Sequence, residues 1–295
     1  MVELKKSLCF LLPPPKRVCS IRLKCVKSTN TWVKENYQSC AHSHITRVIA
    51  DEQLGGRGRF TRRWVSPRGG GIYLTYFFTL PKEGRVLHNL TQLLALSAAK
   101  LLKYNKLNPA IKWPNDILVS GKKIGGILCE TLDLGNRHGI VLGVGINVNM
   151  KREMLDTIDR PATSLYIETG QAFFERDLLR TLEAYFFPDL SLFMRKGFTP
   201  FYRSYNDLLM PRGKLISIRQ NDRVVAGRFH SLNFDGRLNL LLPSGEVKGI
   251  SSGEIIQEGH GAECERGDLN PQEELPSLPP QGSVSTDSTT SAKRS

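Results

Sequence analysis

Between residues 109 and 149 the chain carries three strand-like apolar runs in close succession. They lie near 109–119, 123–134 and 137–149, and Gly121 and the Gly135-Asn136 pair mark the turns between them. Strands that follow one another through turns this short make a β-sheet the centre of the fold. Pro114 interrupts the first run. It has no N–H to give to a ladder, so a continuous central strand is ruled out and the chain must bend there.

The flanking segments supply helices and further strands. Residues 19–26 and 45–51 read as strands, and Ser28 as the N-cap of a short helix near 29–39. Residues 70–80 are aromatic and β-branched, again strand-like. Leu87, Leu90, Leu94, Ala98 and Leu101 fall at spacings of three and four and describe one helical face within 86–105. Leu178 to Met194 reads as helix with a break at Pro188. From 213 to 257 the character changes to short strand-like runs joined by Asn-Asp, Asp-Gly and Ser-Gly turns, the mark of a small appended β-barrel or sandwich. The expected organisation is an irregular lead-in over 1–18, a main domain over 19–205, a small β domain over 206–259, and a disordered tail over 260–295 rich in Pro, Ser, Thr and Glu.

The formal net charge is +13. The tail holds six acids and three bases, which leaves +16 on residues 1–259 and favours an anionic partner. The six cysteines include no C-x-x-C pair, so a reducing compartment is expected. Cys40, His42 and His44 lie together, but no second ligand pair follows at zinc spacing, and polar residues at a strand edge are the simpler reading. The apolar run Leu8–Leu12 ends at Pro13. That is too short for a secretory signal or a membrane span, so the expected location is the cytoplasm, with no membrane partner.

Three segments carry chemistry. Gly55 to Trp64 packs Arg57, Arg59, Arg62 and Arg63 among Gly55, Gly56 and Gly58. Glycine lets backbone N–H groups approach an anion, and arginine presents a fork of donors to phosphate or carboxylate. The physical reading is a loop that closes over phosphates; a basic surface loop touching nucleic acid is the alternative. Lys112-Trp113-Pro114-Asn115-Asp116 puts a fixed positive charge at a strand end, and Gly125 and Gly126 follow inside a strand pattern, where glycine is costly unless a bulge or a close ligand needs the space. A Pro-broken hairpin with a surface lysine is the plainer account. Gly143-Val144-Gly145-Ile146-Asn147 has neither the dinucleotide-binding spacing nor a following helix, and no Walker motif occurs. No Ser/His/Asp or Cys/His nucleophile set stands out. Activation of a substrate carboxylate needs none: positioning and positive charge suffice.

With these motifs in order, the sequence resembles the biotin–protein ligases. The resemblance runs through Ser28-Thr29-Asn30, Gln53, Gly56–Trp64, Ser66-Pro67, Gly69-Gly70, Lys112–Asp116, Lys123–Ile127 and Gly145-Ile146-Asn147, and spans about residues 20–257. It implies an α+β fold, a mixed sheet backed by helices like that of class II aminoacyl-tRNA synthetases, with an SH3-like C-terminal domain. It implies ATP-dependent formation of biotinyl-5′-AMP, with Mg2+ accompanying ATP and no bound prosthetic group, then transfer to a lysine of a biotin carboxyl carrier protein such as that of acetyl-CoA carboxylase. Ser28, Thr29, Asn30, Gln53, Arg57, Gly125 and Gly126 are the implied biotin residues. Gly56, Gly58, Arg59, Arg62, Trp64, Asn115 and Asn147 are the implied nucleotide residues; Arg59 and Lys112 are the catalytic pair, and no protein metal ligand is implied. Thr61 departs from the pattern, standing where the family loop usually has glycine. About twenty residues before the first catalytic strand cannot hold the DNA-binding domain of some members, so DNA binding is not expected; a homodimer stays open. The rival readings are a lipoate or octanoate ligase or transferase, whose relatives lack the Gly-Arg loop and the Lys-Trp-Pro-Asn-Asp block, and a non-catalytic nucleic-acid-binding module.

Overall fold

A computed structural model describes residues 10–11, 17–40, 45–60, 62–82, 88–210, 213–220 and 223–258. The expected tail, His42, His44 and Thr61 lie outside them. Along the chain come β1 (Phe10–Leu11), β2 (Arg17–Leu23), α1 (Thr29–Asn36), β3 (Ile45–Ala50), β4 (Gly71–Pro81), α2 (His88–Tyr104), β5 (Pro109–Lys112), β6 (Asp116–Val119), β7 (Lys122–Leu134) and β8 (Arg137–Asn147). After these follow α3 (Arg152–Leu155), α4 (Leu165–Thr169), α5 (Glu175–Lys196), α6 (Tyr202–Asn206), β9 (Leu209–Met210), β10 (Leu215–Gln220), β11 (Arg223–Leu232), β12 (Leu238–Leu241), β13 (Val247–Ile250) and β14 (Glu254–Glu258).

Strands β1 to β9 form one mixed sheet in the order β1-β2-β3-β4-β8-β7-β6-β5-β9, in which β2/β3 and β5/β9 are the parallel pairs. Side chains alternate across it. Ile140, Leu142, Val144 and Ile146 of β8 join the large core under α2 and α5, whereas Val141 joins a smaller core with Val33 of α1, Val48 and Phe77. The same alternation leaves Gly143, Gly145 and Asn147 on the α1 side, where they line a cleft.

Several expectations are corrected. The bend expected at Pro114 is a full reversal, so the run 109–119 is two antiparallel strands, β5 and β6. Helix α5 continues through Pro188 without a break. An interior proline costs about 3 kcal/mol, but Leu182, Phe186, Phe187 and Leu190 are buried on both sides of it, so packing holds the helix together. The lead-in contributes β1, which pairs with β2. Residues 209–210 pair with β5 of the large sheet, so the stretch just after 206 still serves that sheet. The small C-terminal β domain that the sequence leads one to expect is present as a five-stranded antiparallel sheet, β13-β12-β11-β10-β14. Among the described residues no helix is long and apolar enough to cross a membrane.

The N-terminal turn of α2 grips the small sheet. Asn89 donates to the Asp235 carbonyl at 2.9 Å and Gln92 to the Gly236 carbonyl at 2.7 Å. Gly236 has a φ of 83°, and a methyl group on it would overlap both amides. Asn89 and Gln92 are buried and committed to the turn, so they cannot swing away. Gly245 has a similar φ of 85° but open space around it. Gly236→Ala is therefore expected to cost on the order of 1–3 kcal/mol and lower the melting temperature by several degrees, while Gly245→Ala carries the backbone strain alone. Equal melting of the two variants would show that the amide grip contributes nothing.

Candidate active site

The cleft on the α1 face has a volume of about 1240 Å³. Its deep end is polar, unlike the rest of the sheet interior. Ser28, Thr29 and Asn30, at the start of α1, are 3–4 % exposed. Ser28 occupies the N-cap position with extended φ and ψ, yet its hydroxyl makes no capping bond; it lines the cleft instead. The Gln53 side-chain carbonyl accepts from the Thr29 N–H at 2.8 Å and its hydroxyl at 3.2 Å, and its amide donates to Ser66 Oγ at 2.8 Å. Thr75 of β4 donates toward Asn30 Oδ1 at 2.6 Å and lies 2.8 Å from Thr29 Oγ1. Asn30 Nδ2 reaches the Leu128 carbonyl at 3.2 Å and Glu130 at 3.0 Å. Burying such a network is costly unless each group is satisfied, and here the chain fixes every one of these side chains in a single orientation.

Glu130 anchors the edge of this end. Lys34 bonds it at 2.8 Å and Arg57 at 3.3 Å. Burial pushes its carboxyl upward, but the hydrogen bonds from Lys34 and Asn30 and the charges of Lys34 and Arg57 hold it below its ordinary value. It stays an anion and fixes Arg57 beside the polar pocket.

The Gly-Arg segment is more ordered than a loop without period. It folds back on itself through the Arg57–Arg63 bridge, with Trp64 N bonded to the Gly56 carbonyl and Gly58 N to the Arg62 carbonyl, both at 2.8 Å. The turn passes through Phe60, whose φ of 59° is left-handed and whose ring is 50 % exposed. The far side of the turn meets the C-terminal sheet. Arg59 donates to the Gly253 carbonyl at 2.7 Å, and Arg62 pairs with Glu254. Burial lowers the pKa of the Arg59 guanidinium, Asp116 counteracts, and Arg62 adds to the depression.

Trp64 then lies across the sheet. A methyl group on Gly145 would overlap its indole, and one on Gly126 would touch its ring at 3.6 Å. Lys123 Nζ sits 5.5 Å from the ring centroid and pairs with Asp116 at 2.6 Å. The result is a flat aromatic wall with charge on its rim, suited to a planar heterocycle. Lys112, at the end of β5, lines the same cleft, beside the reversal at Pro114.

Of the residues singled out from sequence, Ser28, Thr29, Asn30, Gln53, Arg57, Gly58, Arg59, Arg62, Trp64, Lys112, Asn115, Gly126 and Asn147 line one cleft. Gly56 and Gly125 do not. Gly56 supports the loop, with Trp64 and Ser66 too close to admit a side chain, and Gly125 faces Ile117 and Ile146 in the core. The amide N–H groups of Asn115 and Asn147 are engaged by the carbonyls of Ile127 and Thr163, at 2.8 and 2.9 Å. Both asparagines therefore brace the walls. Sequence reasoning missed Thr75 and Glu130, and it placed Lys123, Gly143 and Gly145 in motifs without giving them a role. The glycines had a readable signal: two at i and i+2 in a strand share one face, which leaves that face bare for something to lie on it. Among the described residues no group of three or more His, Cys, Asp or Glu is placed to hold a metal.

The model of the biotin/lipoate A/B protein ligase family matches residues 23–147, the stretch that holds most of this site. The bifunctional ligase/repressor BirA of Escherichia coli is 30 % identical over 79 % of this chain and 72 % of its own length. The Bacillus subtilis protein of the same name is also 30 % identical, but the chain spans only 65 % of its length. The biotin protein ligase of Aquifex aeolicus, solved in complex with biotin and ATP, superposes with a TM-score of 0.68 at 30 % identity, covering 80 % of this chain and 97 % of that one. With 30 % identity to relatives that it covers over most of their length, and the same fold, the chain belongs to the biotin–protein ligase family.

Proposed function

We propose that this chain is an ATP-dependent biotin–protein ligase. One juxtaposition carries the reading: a buried polar pocket opens directly onto a Gly-Arg loop, an indole wall and Lys112 within a single cleft. The pocket around Thr29, Asn30 and Gln53 suits a small head group with both donors and acceptors, such as the ureido ring of biotin. It suits the apolar tail of octanoate or the dithiolane of lipoate poorly, because those would dehydrate a polar surface and offer it no hydrogen bonds in return. Trp64 is the assigned platform for adenine. Arg57, Arg59, Arg62 and Lys112 are assigned to the carboxylate and phosphates between the two ends.

The chemistry follows from that order. A carboxylate oxygen of biotin attacks the α-phosphorus of ATP, the bond to the β-phosphate oxygen breaks, and pyrophosphate leaves. Lys112 and the loop arginines stabilise the charge that builds on the phosphoryl oxygens. In the second step a neutral lysine amine of the acceptor attacks the acyl carbon, the acyl–phosphate bond breaks, AMP departs, and the amine loses a proton. A biotin carboxyl carrier domain is the assigned acceptor, and Mg2+ arrives with ATP as its counter-ion. Asp116, Asp159 and Glu254, the acids on the cleft wall, are paired with Lys123, Arg160 and Arg62.

The test is direct. The chain, labelled biotin, MgATP and a carrier domain are combined, and label on the carrier is expected only when all are present. Absence of both biotinyl-AMP and labelled carrier would sink the reading. A second prediction addresses the pocket. A methyl group on Gly143 would overlap the Asn30 amide, which Thr75, Leu128 and Glu130 hold in place. Displacing Asn30 loses about two hydrogen bonds, on the order of 1–3 kcal/mol. Gly143→Ala should therefore raise KM for biotin by about ten- to a hundredfold while KM for ATP moves far less; a uniform rise in both would argue against a biotin pocket here.

A further inference from the structure

One charged corner of the cleft holds two arginines, Arg160 and Arg219, that have no role in the assignments above. The small sheet turns at Gly253 into β14, and this turn is surrounded by guanidinium groups. Arg59 bonds the Gly253 carbonyl and Arg62 pairs with Glu254. Arg219 of β10 lies directly across the ladder from Glu254. Arg160, beside Asp159 at 3.5 Å, lines the same wall. The Arg62 guanidinium is depressed by burial first and then by the charges of Arg160 and Arg219, with Asp116 opposing, so these groups share one local field. Arg59, Arg62, Arg160 and Arg219 share this wall with three carboxylates, Asp116, Asp159 and Glu254. Glu254 is taken by Arg62, and no carboxylate among the described residues pairs with Arg219. An exposed arginine with no partner is ordinary on a surface. One that lines a cleft wall beside other guanidinium groups is placed to share with them an anion that carries several charges.

We propose that Arg219, together with Arg62 and Arg160, seats the polyphosphate end of the nucleotide and then the pyrophosphate it leaves. The small C-terminal sheet thereby becomes part of the leaving-group site, and Glu254 is the internal anion that holds Arg62 while the site is empty of phosphate. The assignment rests on the adenylation reading for its role in turnover, but binding of pyrophosphate can be measured without any turnover.

Inorganic pyrophosphate titrated into the full chain, followed by calorimetry, is the first arm. Wild type should bind it, and Arg219→Gln should bind about five- to tenfold more weakly, as expected for loss of one charge-assisted contact near solvent. Arg219→Lys keeps a point charge without the planar fork and should fall between the two. The side chain is exposed, so melting temperature and biotin affinity should stay at wild-type values. In the second arm, Arg219→Gln should raise KM for ATP and weaken product inhibition by pyrophosphate by the same factor. If wild type forms no biotinyl-AMP, the ligase reading falls, and the titration alone still decides this corner. Equal pyrophosphate binding by wild type and Arg219→Gln overturns the proposal. So does an effect confined to the KM for an acidic carrier domain, which would make Arg219 a docking residue for the acceptor.

Discussion

Replacing Lys112 with alanine is expected to slow biotinyl-AMP formation by about 10²–10³-fold, the usual cost of removing one preorganised donor from a developing oxyanion. The lysine sits at the last position of β5, held by the ladder to β6 on one side and β9 on the other, and the chain reverses immediately after it. Its backbone is thus fixed by two neighbours, which anchors the ammonium near the place where charge grows on the phosphoryl oxygens. Because Thr29, Asn30 and Gln53 form a separate bonded cluster, biotin affinity should change by no more than a few-fold. Rapid-quench measurement of the adenylate in single turnover separates the two effects. Wild-type-like adenylation with Lys112→Ala would mean that the lysine is only the polar end of a strand.

A second large effect is expected at Arg59, on retention of the intermediate rather than its synthesis. Biotinyl-AMP is a reactive mixed anhydride that must be kept from water and stray amines until the acceptor lysine arrives. Arg59 spans the cleft mouth from the Gly-Arg turn to the Gly253 carbonyl. Arg59→Gly removes that tie and any bond to the phosphate, and adds backbone freedom beside Gly58. A charge-assisted contact of about 1.5–3 kcal/mol corresponds to roughly ten- to a hundredfold faster release. The variant should still make biotinyl-AMP but label a bystander protein such as albumin, which wild type leaves almost unlabelled. Comparable adenylate formation without extra bystander labelling would remove the retention role from Arg59. Thr61→Gly is a companion probe: if the residue following Phe60 tunes loop ordering, the variant should change how fast biotin and ATP protect the loop from protease.

The strands and helices around the site were legible because each has its own period. The 3.6-residue repeat of Leu90, Leu94, Ala98 and Leu101 marks the buried face of α2, and the turn at Gly135 has the left-handed φ of 75° that glycine accepts without cost. The chemistry of the Gly-Arg loop and of Lys112 was legible for a similar local reason: arginines among glycines, and a lysine before a strand-breaking proline, imply anion binding wherever they are placed.

What the tertiary structure alone decided is which of these residues meet. Gly125 and Gly126 are neighbours in sequence, yet one fills a gap in the core and the other bears on Trp64, a choice made by strand register. Asn115 and Asn147 line the cleft, and each is braced there by a backbone carbonyl that only the folded sheet brings within reach. Pro188 reads as a helix stop and is overruled by phenylalanines packed on both sides of it. The Arg59 bond to Gly253 joins residues 194 positions apart, with nothing in either local sequence to announce the other. Local sequence determined the backbone elements and the kinds of charge available, because propensity and periodicity act over a few residues. The pocket, its bracing amides and the arginine corner depend on side chains that become neighbours only when the two sheets pack.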